Sequence, residues 1–376
     1  MADRALSICF VAPNAYPILA REEDKPLVGG AELQQVLVAR GLAERGHDVS
    51  MICLDFGQSD GVVIDGVRVY KAFKPDAGIP MLRFVWPRLT GLWRSMTRAD
   101  ADVYYSRTAG ILPGLAVVFC QRRSRKSIFA AAGTPDLERN TPRVRYSRDR
   151  KIYEYGLRRV DRILVQNEEQ HRLCRANFGR EAIIVPNYYA FEAENGREAG
   201  TDVLWVSTIR KVKRPELYLD LAALLPEYRF KMIGGPDDND PNLFEEILAR
   251  AAELDNVEFL GFIPYSRIGE YFDDARVFVN TSDSEGFPNT FLQAWSRRVP
   301  TVSFVDCGAR YQGALLGRQV DSLGEMADCV INWLQQEEKR SREGERCRAY
   351  MQENHSPDAV LDLYETLLSD LVLTDG

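Results

Sequence analysis

Nowhere in the 376 residues is there a run of roughly 20 consecutive apolar residues, the length a helix needs to cross a membrane. The opening MADRALSICFVAP does not read as a secretory leader, because its apolar run is brief and proline and polar residues follow at once. Leu6 to Ala12 reads instead as a buried first strand. Histidine is scarce. Three residues are little material for a multi-histidine centre, and no metal is expected. The seven cysteines are scattered, odd in number and never spaced C-x-x-C, which argues for reduced thiols in a cytosol and against a disulfide framework or zinc site. Positive charge is not in excess. The net charge of −7 argues against nucleic acid as a partner. No G-x-G-x-x-G follows the first strand, so a nicotinamide dehydrogenase ranks last among the readings of this pattern.

What is present is alternation. The length suits two domains of roughly 100–200 residues, and 45% hydrophobic with 27% charged residues is ordinary for a globular chain. Apolar, β-branched runs alternate with longer stretches of helical period, which signals βαβ units and parallel sheets. Strands read LSICFVA from Leu6, DVSMICL from Asp48, VRVYKAF from Val67, DVYYS from Asp102, KSIFAAA from Lys126, RILVQ from Arg162 and AIIVP from Ala182. Helices are expected near 31–45, 110–121, 148–159 and 168–177. The polar stretch 186–202 reads as an interdomain linker. Strands then resume with VLWVS from Val203, YRFKMIG from Tyr228, VEFLG from Val257, VFVNT from Val277 and TVSFV from Thr301. Helices separate them near 215–225, 241–254, 265–274 and 289–297. From about Leu323 the tail is helical. Its last helix has Ser356 as N-cap, Pro357 at the first position, and Val360, Leu363, Leu367 and Leu371 on one expected apolar face.

Doubly wound units bind ligands beyond the C-terminal ends of their strands, and two of them facing one another put the natural site in the cleft between. Three segments carry chemistry. Gly29 and Gly30 open a helix after the loop that follows the first strand. Adjacent glycines let N–H groups approach an anion, although a plain loop reads as well. His47, in the turn out of that helix, reads as structural. Next, Arg210, Lys211, Lys213 and Arg214 follow a strand end, where four cations suit a pyrophosphate and at least two are expected to turn inward. The glycines of Gly234-Gly235-Pro236 read as conformational. Last, NTSDSEGFPNT puts Glu285 over a helix start whose free N–H groups suit phosphate or sugar hydroxyls. Thr290 adds a hydroxyl, and Gln293 lies within the helix, facing back. A simple surface acid is the plainer alternative for Glu285.

In this order and spacing, VGGAE, TIRKVKRPEL, GGP and SEGFPNTFLQA resemble glycosyltransferase family four over nearly the whole chain, with SEGFPNTFLQAW the most specific part. The resemblance implies an α/β GT-B fold, two Rossmann-like doubly wound domains facing across a cleft. Residues 1–187 would form the acceptor side and 188–355 the nucleotide-sugar side, with 356–376 packing back on the first domain. It also implies retaining transfer from a UDP- or GDP-linked sugar to a glycan or lipid-linked acceptor, of the bacterial surface-polysaccharide type, without a metal or other cofactor. Gly30, with Gly29 beside it, then lies against the donor diphosphate, which Lys213 binds. Glu285 matches the first acid of E-x₇-E, near the donor sugar. Phe287, Pro288, Asn289 and Thr290 match the turn whose amides touch sugar and phosphate, and Phe262 and Ile263 match the base-contacting backbone. There are three departures. Gln293 replaces the second acid, which normally holds the ribose, and an amide still hydrogen-bonds. Thr208 replaces an arginine, for which Arg210 is a substitute. The usual N-domain histidine is missing, and AAAGTPD offers only Thr134 and Asp136. These departures keep a rival reading open, a non-catalytic sugar-nucleotide or glycan-binding protein on the same scaffold. A sugar-nucleotide epimerase fits SEGFPNT poorly.

The implied mechanism develops charge on the leaving diphosphate, met by Lys213, Arg210 and helix N–H groups, while Glu285 orients the sugar. The acceptor is expected on the first domain. There IPMLRFVWPRLTGLWRSMTR, from Ile79, mixes tryptophan with arginine. That suits an interfacial segment at a membrane, and equally a core helix with a basic outer face. Between Gln121 and Arg162 thirteen Lys and Arg stand against five Asp and Glu, which reads as a solvated face or as a surface for an anionic acceptor or membrane. The expected location is the cytoplasm, with peripheral docking on the inner membrane face as the sharper reading.

Overall fold

The computed structural model describes residues 5–22, 29–79, 84–141, 143–189, 200–237 and 240–373. Two compact units divide the chain, Met1–Tyr188 with Pro357–Gly376, and Tyr189–Ser356. The expected strand at 182–186 shortens to two residues, and Pro80–Arg83 of the tryptophan–arginine segment lie outside the described residues.

The first unit's strands are β1 (Ser7–Val11), β2 (Asp48–Cys53), β3 (Val63–Ile64), β4 (Val67–Lys71), β5 (Val103–Arg107), β6 (Lys126–Ala130), β7 (Arg162–Val165) and β8 (Ile183–Ile184). They form one sheet in the order β3-β4-β2-β1-β5-β6-β7-β8, parallel except at β3. Strands β1, β2, β5 and β6 are buried at every position or all but the first, as a sheet covered by helices on both faces requires. Helices α1 (Tyr16–Leu19), α2 (Gly30–Glu44), α3 (Thr90–Ala99), α4 (Ile111–Arg123), α5 (Ser147–Arg159) and α6 (Glu168–Phe178) connect them. Two glycines set the crossing of α4 and α5. A Cβ on Gly114 would stand 2.3 Å from the Ile152 carbonyl oxygen, and one on Gly156 2.6 Å from the Gly114 nitrogen. His47 is structural as expected. Its Nδ1 accepts from the Leu6 N–H at 3.3 Å.

The second unit's main sheet is β9 (Thr201–Val206), β10 (Phe230–Ile233), β11 (Val257–Phe259), β12 (Ala275–Asn280), β13 (Thr301–Ser303) and, after the short hairpin β14 (Arg310–Tyr311) and β15 (Ala314–Leu315), β16 (Arg318–Gln319). The order is β11-β10-β9-β12-β13-β16, all parallel. Helices α7 (Pro215–Leu224), α8 (Pro241–Ala251), α9 (Tyr265–Asp273), α10 (Asn289–Ser296), α11 (Leu323–Gln335) and α12 (Glu337–Asn354) cover it. The alternation of β9 sorts the two faces. Val203 and Trp205 pack with Tyr218, Ile247 and Trp333, while Leu204 and Val206 pack with Phe272, Phe291 and Trp295.

Two expectations need correction. The stretch 186–202 is not a loose linker at its ends. Asn187, Tyr188 and Tyr189 are buried, because Tyr188 exchanges two hydrogen bonds with the Gln34 amide, at 2.7 and 2.8 Å, and Asn187 Oδ1 accepts from Arg107 and Gln166, each at 3.0 Å. Thr201 and Asp202 already belong to β9, and 190–199 lie outside the described residues. The second correction concerns the last helix, α13 (Pro357–Leu373), which belongs to the first unit. Its buried face is Val360, Leu361, Tyr364, Leu367, Leu368 and Leu371, whereas Leu363 is 45% exposed. Tyr364 takes the inward place because its hydroxyl meets that of Tyr105 at 3.3 Å. On the partner helix α2, Gly41 leaves room for Leu361, whose Cδ1 would stand 2.6 Å from a Cβ there.

Candidate functional site

In the second unit the sequence of connections reverses direction between β9 and β12, since β10 lies on one side of β9 and β12 on the other. The carboxyl ends of those two strands are the switch point where open α/β sheets leave a crevice. The loop after β9 carries Arg210 to Arg214, and the loop after β12 carries Thr281 to Pro288. The two loops are stitched together. Asp283 N–H donates to the Val212 carbonyl at 2.9 Å, and the Thr281 hydroxyl donates to the Lys213 carbonyl at 2.7 Å. Trp205 Nε1–H donates in turn to the Thr281 oxygen at 3.0 Å. Lys213 Nζ then lies 2.5 Å from Glu285 Oε1, with side chains 20% and 14% exposed. A mostly buried, hydrogen-bonded ion pair at the switch point is the centre of the site.

Further stitching runs along the same edge. Ile209 N–H donates to the Gly235 carbonyl at 2.9 Å, and Gly234 N–H to the Gly261 carbonyl at 2.9 Å. Loops after β9, β10 and β11 are thereby neighbours, and Phe262, with Ile263 after it, lies against Gly235. The expectation that the glycines here are only conformational is corrected at Gly234, where a Cβ would stand 2.1 Å from the Ser207 carbonyl oxygen.

Each of the four cations has an acidic partner. Arg210 pairs with Asp237 at 2.9 Å, Lys211 with Asp240 at 2.9 Å, and Arg214 with Asp283 at 3.2 Å. Their side chains are 51%, 82% and 40% exposed, so of the four only Lys213 turns inward, where at least two were expected. Arg210 reaches the loop after β10 rather than Glu285. Phe287 is buried, with its ring 4.8 Å from that of His355. Pro288 stands at the N-cap of α10, with Asn289 and Thr290 beginning the helix. Its side chain offers the first-turn N–H groups no acceptor, and its carbonyl takes the Phe291 N–H at 3.0 Å. Gln293 is buried within α10.

The candidates of the first unit are described separately. Gly29 is the N-cap and Gly30 the first residue of α2. The carboxylate of Glu32 folds back beside Gly29, 2.0 Å from where a Cβ would be, so this helix start already faces an anion of its own. Asp136 has no exposed surface. Its Oδ1 accepts from Arg143 at 3.0 Å and its Oδ2 from Ala132 N–H at 2.7 Å, and the Tyr153 hydroxyl donates to its carbonyl at 2.6 Å. Asp136 clamps its loop, with both carboxylate oxygens engaged inside the first unit.

Sequence reasoning missed Asn280 and Ser282. Glu285 Oε1 accepts from the Ser282 hydroxyl at 2.7 Å and from Asn280 Nδ2 at 3.3 Å. Asn280 Oδ1 accepts the Ser282 N–H at 2.9 Å. The available signal was the unbroken hydrogen-bonding run Asn280-Thr281-Ser282-Asp283-Ser284 ahead of the glutamate.

Comparison with known families places these two loops. The family described as Glycosyl transferases group 1 matches residues 190–349, and the Glycosyl transferase 4-like domain matches residues 29–190. The chain belongs to glycosyltransferase family four. Its Lys213–Glu285 pair falls inside the group 1 region, and the junction of the two regions adjoins the boundary between the compact units. The fold is GT-B. Anabaena HepE, solved in complex with UDP and glucose, superposes with a TM-score of 0.75 over 97% of this chain and 99% of that one, at 14% identity. The Escherichia coli O-antigen biosynthesis glycosyltransferase WbnH is 26% identical over 143 residues, 37% of this chain and 40% of its own length. A phosphatidylinositol N-acetylglucosaminyltransferase component from Arabidopsis thaliana is 24% identical over 309 residues, 74% of this chain and 64% of its own length. The chain thus spans about two fifths to two thirds of the curated relatives it matches.

Proposed function

We propose that this family-four glycosyltransferase moves a sugar, with retention of configuration, from a UDP- or GDP-linked donor to a glycan or lipid-linked acceptor in surface-polysaccharide synthesis. The observation that carries the reading is the Lys213–Glu285 pair at the switch point of the second unit. As the bond from the sugar's anomeric carbon to the diphosphate breaks, negative charge grows on the leaving group. Lys213 is the mostly buried cation placed to meet it, and a fixed charge in a partly desolvated site is the strongest aid to such a step. The acceptor oxygen joins the anomeric carbon on the face the diphosphate leaves, and its proton passes to the phosphate. Glu285 orients the sugar. Phe262 and Ile263 border the base, the Phe287–Thr290 turn borders sugar and phosphate, and the Gln293 amide replaces the acid that holds the ribose.

Because Arg210 is paired with Asp237, it supports the diphosphate at longer range than Lys213. The name of WbnH and the UDP in HepE support the polysaccharide context and a uridine nucleotide. No helix among the described residues is long and apolar enough to cross a membrane. A peripheral contact is supported by Val85 and Trp86, 56% and 63% exposed, which precede Arg88 and the exposed Arg94.

The test is a melting-temperature screen with UDP-, GDP- and dTDP-sugars, since a ligand that binds the folded state raises the midpoint. Steady-state release of nucleoside diphosphate from the stabilising donor follows. Lys213→Ala is expected to lower turnover about 100-fold or more. Full turnover by that variant overturns the assignment. A wild-type chain that binds a donor but releases no diphosphate, with or without acceptors, establishes the non-catalytic binder instead.

A further inference from the structure

Glu285 is held in an uneven way. Three donors converge on Oε1, namely Lys213 Nζ at 2.5 Å, Ser282 Oγ at 2.7 Å and Asn280 Nδ2 at 3.3 Å. Among the described residues no hydrogen bond reaches Oε2. The two neutral donors are fixed differently from the lysine. Asn280 is the last residue of β12 and Ser282 follows two residues on, and both are buried. Because Asn280 Oδ1 accepts the Ser282 N–H at 2.9 Å, the amide has a defined orientation and its NH₂ group must face Glu285. Lys213, by contrast, brings a flexible four-carbon stem from another loop.

These facts conflict with a simple division of labour in the sugar-transfer reading, on which the inference rests. A donor diphosphate calls on the same ammonium that now neutralises Glu285. Once Lys213 turns toward phosphate, a carboxylate only 14% exposed loses its counter-charge, and a buried carboxylate without donors is costly. The other charged groups of the two loops do not replace the lysine. Asp283 is engaged with Arg214 at 3.2 Å, and Arg210 with Asp237 at 2.9 Å.

We propose that Ser282, assisted by Asn280, is a positioning residue that holds the Glu285 carboxylate in place while Lys213 serves the diphosphate, leaving Oε2 to accept a hydroxyl of the donor sugar. Ser282 touches no reacting atom. It acts through Glu285, and Lys213 becomes a shared cation that passes between an internal anion and the substrate's.

The experiment compares the wild-type chain, Ser282→Ala and Ser282→Thr in steady-state release of nucleoside diphosphate, with the donor that wild type turns over. Hydrogen bonds to charged groups are the strong ones. Ser282→Ala is therefore expected to lower kcat about tenfold or more and to leave donor KM within about twofold. Ser282→Thr restores kcat. An alanine variant with wild-type kcat overturns the inference, as does one that only melts earlier. A wild-type protein that turns over no donor removes the sugar-transfer reading and this inference with it. Wild-type turnover with an indifferent alanine variant removes the inference alone.

Discussion

Neutralising Glu285 is expected to tighten the hold on a free nucleoside diphosphate, although it removes a residue from the site. The Lys213 ammonium is 2.5 Å from Glu285 Oε1, with the two side chains 20% and 14% exposed. A fully exposed pair is worth up to about 1 kcal/mol. Stranding one member of a fully buried pair costs about 3–5 kcal/mol. With a fifth or less of each side chain exposed, roughly 1–2 kcal/mol is the attraction an incoming diphosphate must overcome. Glu285→Gln keeps the shape and still accepts from Ser282 but removes the charge. The dissociation constant for UDP or GDP, whichever wild type prefers, is expected to fall about 5- to 30-fold. Turnover of the full donor is expected to fall at the same time, because the charged group proposed to orient the sugar is gone. Calorimetric titration of wild type and variant at one ionic strength gives the answer, since a nucleoside diphosphate lacks the donor sugar that Glu285 is proposed to contact. Equal or weaker binding by the glutamine variant refutes Lys213 as a cation shared between the two anions.

Two further perturbations probe features away from that pair. Gly156→Ala puts a methyl 2.6 Å from the Gly114 backbone nitrogen; helix propensity alone favours alanine by up to about 1 kcal/mol, so a net loss of roughly 1–3 kcal/mol in denaturant unfolding shows the α4–α5 contact prevailing, and an unchanged midpoint shows that it yields. The intact chain is expected to co-sediment with vesicles containing anionic lipid more than with neutral ones, and Trp86→Ala to reduce that binding; wild type remaining in the supernatant with both removes the peripheral contact.

Much of the framework was legible because the physics behind it is local. Buried parallel strands must be apolar along their length, and runs such as SICFV, VSMIC and VLWV announce themselves. Lys213 and Glu285 were legible as partners of one site because both follow strands in recognisable loops. Partnerships made at a distance were hidden. A cluster of four cations gives no sign that Asp237 and Asp240, from the loop before α8, neutralise two of them. Asp136 looked available because nothing in its sequence neighbourhood shows that Arg143 and the Ala132 N–H enclose it. In α13 the spacing admitted Leu363 or Tyr364 on the inner face, and the choice was made by a tyrosine hydroxyl on β5. The Asn280 and Ser282 donors were overlooked because short polar residues after a strand ordinarily make turns, and here they also hold a carboxylate.

The placement of α13 fixes an order of events during synthesis. The first half of the chain leaves the ribosome with Gly41, Tyr105 and the surface around them awaiting a cover that is encoded after the whole second unit. At about 5–20 residues per second, translating residues 189–356 takes roughly 10–30 s, during which the later half has time to acquire its own packing. The unit begun first is therefore completed after the second, and a nascent chain stalled anywhere before Pro357 would carry an unfinished hydrophobic surface for chaperones or proteases to recognise.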